Sequence, residues 1–238
     1  MKKIISILLF AFSAFSLLSV SDENFALSNS DQKLLDKGEF VLREKKIKGA
    51  PWPEVTVISR ISATPAESMA VFYAYHEHKD FLPDLLTSTP SRYISPYDLH
   101  INFEMKIPWP MKNSRYTTGN KLRYYGEGGY RIDWYHVAST SSKTTRGFVI
   151  FIPYKNGTMF IYRTFVQPKS KLAGIFKKKM VKEVRKSVMA ILTRIESVKS
   201  KNMDKIPAYI DALKRSLKGE YIYKNIPGVK ENGTAVSD

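Results

Sequence analysis

The feature that most constrains this chain is a long amphipathic segment near its C-terminal end, residues 168 to 201. Apolar residues recur there every three or four positions, which predicts a helix of about nine turns with one apolar stripe. The stripe consists of Leu172, Phe176, Met180, Val181, Val184, Val188, Ile191, Ile195 and Val198. Because such a stripe needs a large apolar surface to lie on, the rest of the chain must supply one.

The sequence before this helix is patterned mainly as β-strands. Residues 39–47, 54–62 and most of 88–167 are rich in strand-forming residues, with turns predicted at residues 126–129 and at Asn156-Gly157. From residue 99 to 107, apolar and polar residues alternate, so one face of that strand is apolar and the other polar. The apolar positions are Leu99, Ile101, Phe103, Met105 and Ile107. The pattern therefore predicts an antiparallel sheet with one face toward the helix.

Two shorter helical segments accompany the strands. Residues 28 to 38 predict a short helix with Ser30 as its N-cap. In residues 63 to 86, Thr64 can cap a second helix, with Pro65 at the first helical position and Glu67 completing a capping box. The order of elements predicts an α+β, helix-grip architecture: a curved antiparallel sheet of about six or seven strands around the long C-terminal helix. A sheet and helix packed in this way can leave an apolar hollow between them, where a ligand would bind.

Two segments carry a resemblance to a known family. ISATPAESMAVFYAYHEHKDFLPDL resembles the first-helix signature of helix-grip proteins, and IPWPMKNSRY resembles the Pro-Trp-Pro segment of the START family of lipid-transfer domains. The resemblance covers about residues 30 to 200 and implies a tunnel that holds one lipid or other hydrophobic molecule, with the C-terminal helix as lid. Two departures leave the ligand open: Ser114 replaces the Asp that often precedes the Arg, and residues 202–238 exceed the usual domain.

The candidate ligand-binding residues come from the predicted strands. They are Ile101, Phe103, Met105, Trp109, Arg115, Arg131, Trp134, Ile161, Arg163 and Phe165, with Leu99, Ile107, Ile132 and Met159 as further wall positions. Ordinary core packing explains the apolar ones equally well. Trp109 stands between Pro108 and Pro110, which end the strand, and it either covers the cavity mouth or plugs a corner of the core.

Arg163 alternates with Met159, Ile161 and Phe165, which would place a guanidinium among apolar side chains. One interpretation is an anchor for a carboxylate or phosphate headgroup, since a buried Arg needs a partner. The alternatives are a structural pair with Glu104 or Asp133, or the opposite register with Phe160 and Tyr162 inside.

A basic cluster lies opposite the apolar stripe of the long helix. It consists of Lys177, Lys178, Lys179, Lys182, Arg185 and Lys186, with Glu183 as the single acid among them. This face would suit docking on an anionic membrane surface at roughly 1 kcal/mol per basic side chain, although a solvated helix face has the same composition.

Residues 1 to 21 have two lysines, an apolar run and small residues, which predicts a signal peptide cleaved after Ser21 or after Ala26. We therefore expect an exported protein, periplasmic or secreted, with a START-like domain over 28–201 and a C-terminal helical extension and disordered tail over 202–238. Loss of Lys2 and Lys3 lowers the formal net charge of +16 by two, to +14. Such a charge favours an anionic partner, and an exported protein meets membranes rather than nucleic acid.

Motifs for catalysis are sparse. The chain has no cysteine, no Gly-rich phosphate loop and no His spacing that fits a metal, so we expect no cofactor, no metal and no disulfide. Glu104, Asp133 and His136 keep open an enzyme of the polyketide cyclase type, which acts in the same kind of cavity. A third possibility is a solid-cored module that binds an anionic surface. The sequence favours a monomeric carrier of a hydrophobic molecule.

Overall fold

The computed structural model describes residues 25–107, 112–223 and 230–231, without the side chains of residues 171, 172, 230 and 231. The predicted signal peptide and the end of the predicted tail lie outside these residues, as do Pro108, Trp109 and Pro110. The domain boundaries and the leader therefore stay predictions.

Five α-helices and nine strands make up the described chain. The helices are α1 (Asn29–Asp36), α2 (Pro65–Tyr73), α3 (His78–Phe81), α4 (Lys177–Lys201) and α5 (Ile206–Leu217), with short 3-10 turns at Tyr75–Glu77, Lys171–Phe176 and Met203–Lys205. The strands are β1 (Val41–Lys45), β2 (Glu54–Ile61), β3 (Leu85–Ser95), β4 (Asp98–Met105), β5 (Ser114–Tyr124), β6 (Tyr130–Ser139), β7 (Ser142–Tyr154), β8 (Gly157–Pro168) and β9 (Lys230–Glu231).

All these strands form one sheet in the order β1-β2-β8-β7-β6-β5-β4-β3-β9. Neighbouring strands are antiparallel except β3 and β9, which pair in parallel through two residues each. The α+β helix-grip class is confirmed, but the sheet has more strands than the predicted six or seven. One reason is that β3 is a full strand although Pro90 interrupts its pattern, which is tolerated near a sheet edge.

The two faces of the sheet are covered differently. The face that carries α2, α4 and α5, called here the helix face, holds the main hydrophobic core. On the opposite outer face, α1 and the segment before it cover a second, smaller core around Leu35, Val41, Ile58, Phe148 and Ile161. One part of the sheet is therefore buried on both faces.

Local signals explain how the elements begin and turn. Thr64 and Glu67 form the predicted capping box, and Pro65 is the first residue of α2. The N-cap of α1 is Ser28 rather than the predicted Ser30, because Ser28 and Asp31 form the reciprocal capping box. The β7–β8 turn consists of Lys155 and Asn156, one position earlier than predicted.

The position of this turn makes Gly157 the first residue of β8. A β-carbon there would lie 2.2 Å from the carbonyl oxygen of Ile61, so only glycine allows β2 and β8 to approach this closely.

The predicted long helix begins later than the sequence pattern suggested. Residues 171–176 form a 3-10 turn that contains Gly174, a poor helix former, and α4 proper begins at Lys177. The stripe residues Val188, Ile191, Ile195 and Val198 are buried, as is Leu192 next to them. Phe176 belongs to the predicted stripe but is 47% exposed. Only the C-terminal half of α4 is thus packed as a core helix.

Residues beyond α4 pack on the domain. Helix α5 lies against α2 and buries Ile206, Leu213 and Ser216. The hydroxyl group of Tyr73 is 2.7 Å from the hydroxyl of Ser216, and Tyr223 donates a hydrogen bond of 2.6 Å to the carbonyl of Tyr73. Residues 202–223 therefore cover α2.

Candidate functional site

The candidate site lies on the helix face, at the part of the sheet farthest from the packed half of α4. Phe103, Tyr116, Trp134 and Tyr162 point to this face and are partly accessible. On α4, Met180, Val181 and Val184 border the same core and are also partly accessible. These seven residues are called the candidate cavity wall below. Side chains in a filled core would be wholly covered.

The aromatic rings of the wall are held by close packing. The rings of Phe103 and Tyr116 stack with centroids 5.0 Å apart, and those of Trp134 and Tyr162 lie 5.1 Å apart. Gly147 lies between Trp134 and Thr164 in the sheet. A β-carbon at Gly147 would come within 2.5 Å of Cζ2 of Trp134, so the missing side chain makes room for the indole.

The two tyrosines of the wall are partly buried. Burial raises the pKa of Tyr162 to about 12, although a hydrogen bond with Thr164 partly offsets this effect. Burial, and secondarily the nearby Tyr162, raises the pKa of Tyr116 well above its ordinary value. Both side chains nevertheless keep accessible surface. The accessible side of Tyr116 faces a depression that is open at the ends of β4, β5 and β6.

Uncharged polar groups lie beside the aromatic wall on the same face. Asn120 is 6% exposed, and its amino nitrogen donates to the carbonyls of Leu99 and Thr118 and to the hydroxyl of Thr118, at 3.3, 3.0 and 3.0 Å. His136 pairs with Thr118 across β5 and β6. Its Nδ1 is buried and makes no hydrogen bond within the described residues. Sequence reasoning missed Tyr116 and Asn120, although strict alternation from Leu122 back to Tyr116 could have indicated both. It named Tyr162 only as part of the alternative register of β8.

The structure places the remaining predicted wall residues on two different faces. Leu99, Ile101 and Ile132 lie on the helix face and are buried, and Met105 is partly covered there. Ile161 and Met159 belong instead to the outer-face core under α1. Phe165 follows Arg163 by two residues and Ile161 by four, so all three side chains point to the same face of β8. The predicted face of Met159, Ile161, Arg163 and Phe165 is therefore wrong.

Arg163 has protein partners on the outer face. Its Nε atom donates to Thr56 Oγ1 at 3.1 Å and lies 3.8 Å from a carboxylate oxygen of Glu54. Its guanidinium also lies 5.2 and 5.0 Å from the ring centres of Phe25 and Phe148. Of the alternatives that the sequence left open, the opposite register is the one observed, with Phe160 and Tyr162 on the helix face.

Arg115 and Arg131 also alternate with helix-face residues and point to the outer face, although Arg115 reaches the edge of the depression that Phe103 and Tyr116 line. Arg115 pairs with Glu104 at 3.2 Å, and Arg131 pairs with Asp133 at 2.5 Å. The placement of these arginines as cavity anchors is thus wrong, because both alternate with helix-face residues. The same contacts remove Glu104 and Asp133 from the cavity. Trp109 lies outside the described residues, and its role stays a prediction.

The basic cluster on α4 is exposed at all six positions. Lys177 pairs with Glu44 at 3.1 Å, Lys186 pairs with Glu183 at 3.0 Å, and the guanidinium of Arg185 lies 4.8 Å from the ring centre of Phe40. Immediately before the cluster, Ile175 and Phe176 are 78% and 47% exposed.

Two open depressions lie on the surface, and the second of them is lined in part by the wall residues Phe103 and Tyr116. One of about 450 Å³ separates α3 from α4 and is lined by Phe81, Pro83, Lys182, Arg185, Lys186, Met189 and Ala190. Another of about 390 Å³, at the ends of β4, β5 and β6, contains the Glu104–Arg115 pair. Among the helices of the described residues, none is both long enough and apolar enough to cross a membrane.

Comparison with known proteins gives matches at the level of structure. No protein-family model matches the sequence, and no curated protein matches it. The STAR-related lipid transfer protein from Xanthomonas axonopodis is similar with a TM-score of 0.58 and 14% identity, over 66% of this chain and 92% of that one. Human STARD10 gives a TM-score of 0.59 and 12% identity, over 81% and 89% of the two chains.

The Zhui aromatase/cyclase from Streptomyces sp. R1128 is similar as well, with a TM-score of 0.53 and 8% identity, over 63% of this chain and 96% of that one. At these identities the comparisons establish the fold. The resemblance predicted from the sequence is thus confirmed at that level: this chain has the helix-grip fold of START-related lipid-transfer domains.

Proposed function

We propose that this protein is an exported carrier that holds one lipid, or a similar hydrophobic molecule, between α4 and the helix face of its sheet. The observation that carries the proposal is the candidate cavity wall, where aromatic side chains on the core side of the sheet stay partly accessible. A ligand tail that covers this surface would be stabilised by about 25 cal/mol per Å² of apolar area removed from water. Similarity in fold to lipid-transfer proteins supports the same function.

Helix α4 is attached unevenly, as a lid would be. Its C-terminal half is held by three carboxylate contacts: Glu196 accepts from Ser62 N at 2.8 Å, Lys199 pairs with Glu67 at 2.7 Å, and Arg194 pairs with Glu77 at 2.6 Å. Its N-terminal half carries the partly accessible wall residues. We therefore assign opening to the N-terminal half, with the C-terminal half as a fixed base.

The open end of this lid is suited to a membrane surface. Ile175 and Phe176 are exposed apolar side chains, and Lys177, Lys178 and Lys179 follow them directly. Apolar side chains can enter the headgroup region while lysines attract anionic lipids. Docking would thus bring the mouth of the proposed cavity to the membrane from which a lipid is taken.

Export rests on the predicted leader. Cleavage after Ser21 would retain Phe25, whose ring lies 5.8 Å from that of Phe148 in the outer-face core, whereas cleavage after Ala26 would remove it. We therefore favour cleavage after Ser21. N-terminal sequencing of the protein recovered from the exporting cell distinguishes the two sites.

The test of the carrier function is the content of the purified protein. The chain from residue 22 onward, purified without detergent and extracted with organic solvent, is expected to release one lipid class at about one molecule per protein, measured by mass spectrometry. A protein that is empty and also rejects a panel of lipids and sterols would refute the carrier function.

A second candidate is an enzyme of the cyclase type. It is supported by the similarity in fold to an aromatase/cyclase and by His136, the one imidazole placed beside the candidate cavity wall. Under this alternative, His136→Gln would abolish turnover of a bound polyketide-like substrate while leaving its binding intact. A surface-binding module with a solid core, the third possibility, would bind anionic vesicles but no free hydrophobic molecule.

A further inference from the structure

Among the described residues, the strand positions that point to the helix face around the candidate cavity carry no charged side chain. The helix-face positions of β4 to β8 that surround it carry hydroxyls, one amide, one imidazole and apolar groups, and none of them is Asp, Glu, Lys or Arg. These positions are Leu99, Ile101, Phe103, Tyr116, Thr118, Asn120, Leu122, Ile132, Trp134, His136, Gly147, Val149, Phe151, Phe160, Tyr162 and Thr164.

The side of α4 that borders the same core is uncharged as well, since it presents Met180, Val181, Val184 and Val188. The cations that could have bound an anionic headgroup have other partners or are exposed. Arg131 and Arg163 lie on the outer face beside carboxylates, and the lysines of α4 are exposed. Arg115 lines the depression beside Phe103 and Tyr116, where its charge is paired with Glu104.

We infer that the ligand of this cavity is an uncharged amphiphile whose head is a hydroxyl or carbonyl group, and neither a carboxylate nor a phosphate. This inference rests on the proposed function and names the ligand class for the same site. An anionic head placed here would lose its hydration without gaining a cationic partner, which disfavours binding strongly. An uncharged head loses far less and can be matched by hydrogen bonds.

A specific polar group is available for such a head. All three hydrogen bonds of Asn120 use its amino nitrogen, so its carbonyl oxygen Oδ1 has no partner among the described residues, although the side chain is only 6% exposed. That oxygen can accept a hydrogen bond from a ligand hydroxyl. The phenol of Tyr116, whose raised pKa keeps it protonated, can donate one.

Positive charge would then act in membrane docking and not in ligand binding. The exposed lysines and arginine of α4 would attract the anionic lipids of a membrane, whereas the cavity would reject those same lipids. The protein could thus dock on anionic lipids without loading them as ligand, which is a form of discrimination by unpaired charge.

The experiment uses ligands that share one 18-carbon monounsaturated tail and differ only in their heads. Oleyl alcohol, monoolein, oleate and oleoyl lysophosphatidate compete at pH 8 against the uncharged dye Nile red, bound to delipidated protein. The two uncharged ligands are expected to bind about tenfold or more tightly than the two anions, because tail burial is equal and only the cost of the head differs.

Matched variants on neighbouring residues of β5 test the location. Tyr116→Phe removes one hydroxyl on the helix face and is expected to weaken monoolein binding several-fold more than it weakens Nile red binding. Arg115→Gln, the next residue on the outer face, should change neither. Thermal unfolding of both variants verifies that they fold.

The outcomes separate the inference from the function on which it rests. If Nile red binds and the anions compete as well as the uncharged ligands, or if Arg115→Gln selectively weakens the anions, the inference is overturned and the carrier function stands. If neither Nile red nor any of the four ligands binds, the carrier function itself is refuted.

Discussion

The indole nitrogen of Trp52 donates a hydrogen bond of 2.7 Å to the carbonyl oxygen of Ala173. Trp52 belongs to the loop between β1 and β2, in the segment Ala50-Pro51-Trp52-Pro53, and Ala173 lies four residues before α4 begins. The bond joins two segments that are 121 residues apart in sequence, at the end of the chain segment that leads into the proposed lid. This bond therefore holds the segment that leads into α4 against the loop between β1 and β2. It is called the latch below.

Trp52→Phe should loosen the lid without unfolding the protein. It keeps an aromatic ring but removes the donor, and a net loss of about 1 kcal/mol corresponds to about a fivefold change in an opening equilibrium. Transfer of a fluorescent lipid from the protein to acceptor vesicles, measured by stopped-flow fluorescence, should become several-fold faster.

A matched control for this variant is Trp134→Phe, which alters the cavity wall and not the latch. Trp134→Phe should lower the affinity for the lipid, whereas Trp52→Phe should mainly accelerate lipid transfer to the vesicles. Unchanged exchange in Trp52→Phe, with thermal unfolding showing that the variant is folded, would show that the bond to Ala173 does not limit opening.

The C-terminal base of α4 depends on a partly buried ionic network. Glu77 accepts from Tyr209 at 2.8 Å and from Arg194 at 2.6 Å. Although burial alone would raise the pKa of Glu77, these hydrogen bonds bring it below its ordinary value. Glu77→Gln should lower the free energy of unfolding by about 2 kcal/mol, because the Arg194 charge loses its counterion in a partly buried place.

Glu183→Gln is the matched control for this network. Glu183 forms a surface pair with Lys186 on the same helix, and such pairs contribute about 0.5 kcal/mol or less. Urea unfolding measures both variants. Equal and small effects would mean that the Glu77 network does not hold α4.

The orientation of β8 shows where sequence reasoning stops. In Met159-Phe160-Ile161-Tyr162 both alternating sets are apolar, because the strand is buried on its helix face by the main core and on its outer face by α1. Alternation identifies the buried face of a strand only when the other face is polar and exposed to solvent. For β8 the pattern therefore does not distinguish the two possible orientations of its side chains. In β4, where His100, Asn102 and Glu104 alternate with apolar residues, the predicted face is the observed one.

The same difference explains the arginines. The apolar strand neighbours of Arg163 lead to the prediction that it lies in the cavity. Those neighbours are apolar for another reason, because residues from Phe25 to Leu35 cover them on the outer face. That covering is a contact between distant segments, which no local pattern encodes. By contrast, the capping box of α2 and the apolar stripe of α4 are local signals, and the structure contains both helices, although α4 begins only at Lys177.

Membrane docking should depend on where the positive charge lies. Lys178→Gln with Lys179→Gln removes two cations beside Ile175 and Phe176, at a cost of about 2 kcal/mol or about 30-fold in partitioning onto vesicles that contain anionic lipid. Lys214→Gln with Lys218→Gln removes the same charge from exposed positions at the end of α5. Vesicle co-sedimentation should show a large loss for the first pair and a small loss for the second. Equal losses would indicate attraction by net charge alone.

Acid should destabilise this protein through His78. The ring is fully buried, its Nε2 lies 2.8 Å from the carbonyl oxygen of Phe72, and burial lowers its pKa from 6.5 to about 4. Because the unfolded chain binds the proton more readily, the stabilising contribution is complete above pH 6.5 and is lost as the pH falls from 6.5 toward 4. The full loss is roughly 3 kcal/mol.

His78→Gln isolates this effect, since glutamine can still donate to the Phe72 carbonyl but does not titrate. His76 and Glu77, the neighbouring ionisable groups that act on His78, are the same in both proteins. Urea unfolding at pH 7.5 and pH 5 should show a steeper loss for the native chain than for the variant, by about 2 kcal/mol over this interval. Parallel losses would place the acid sensitivity elsewhere, because an imidazole that stays neutral in both states contributes no pH dependence.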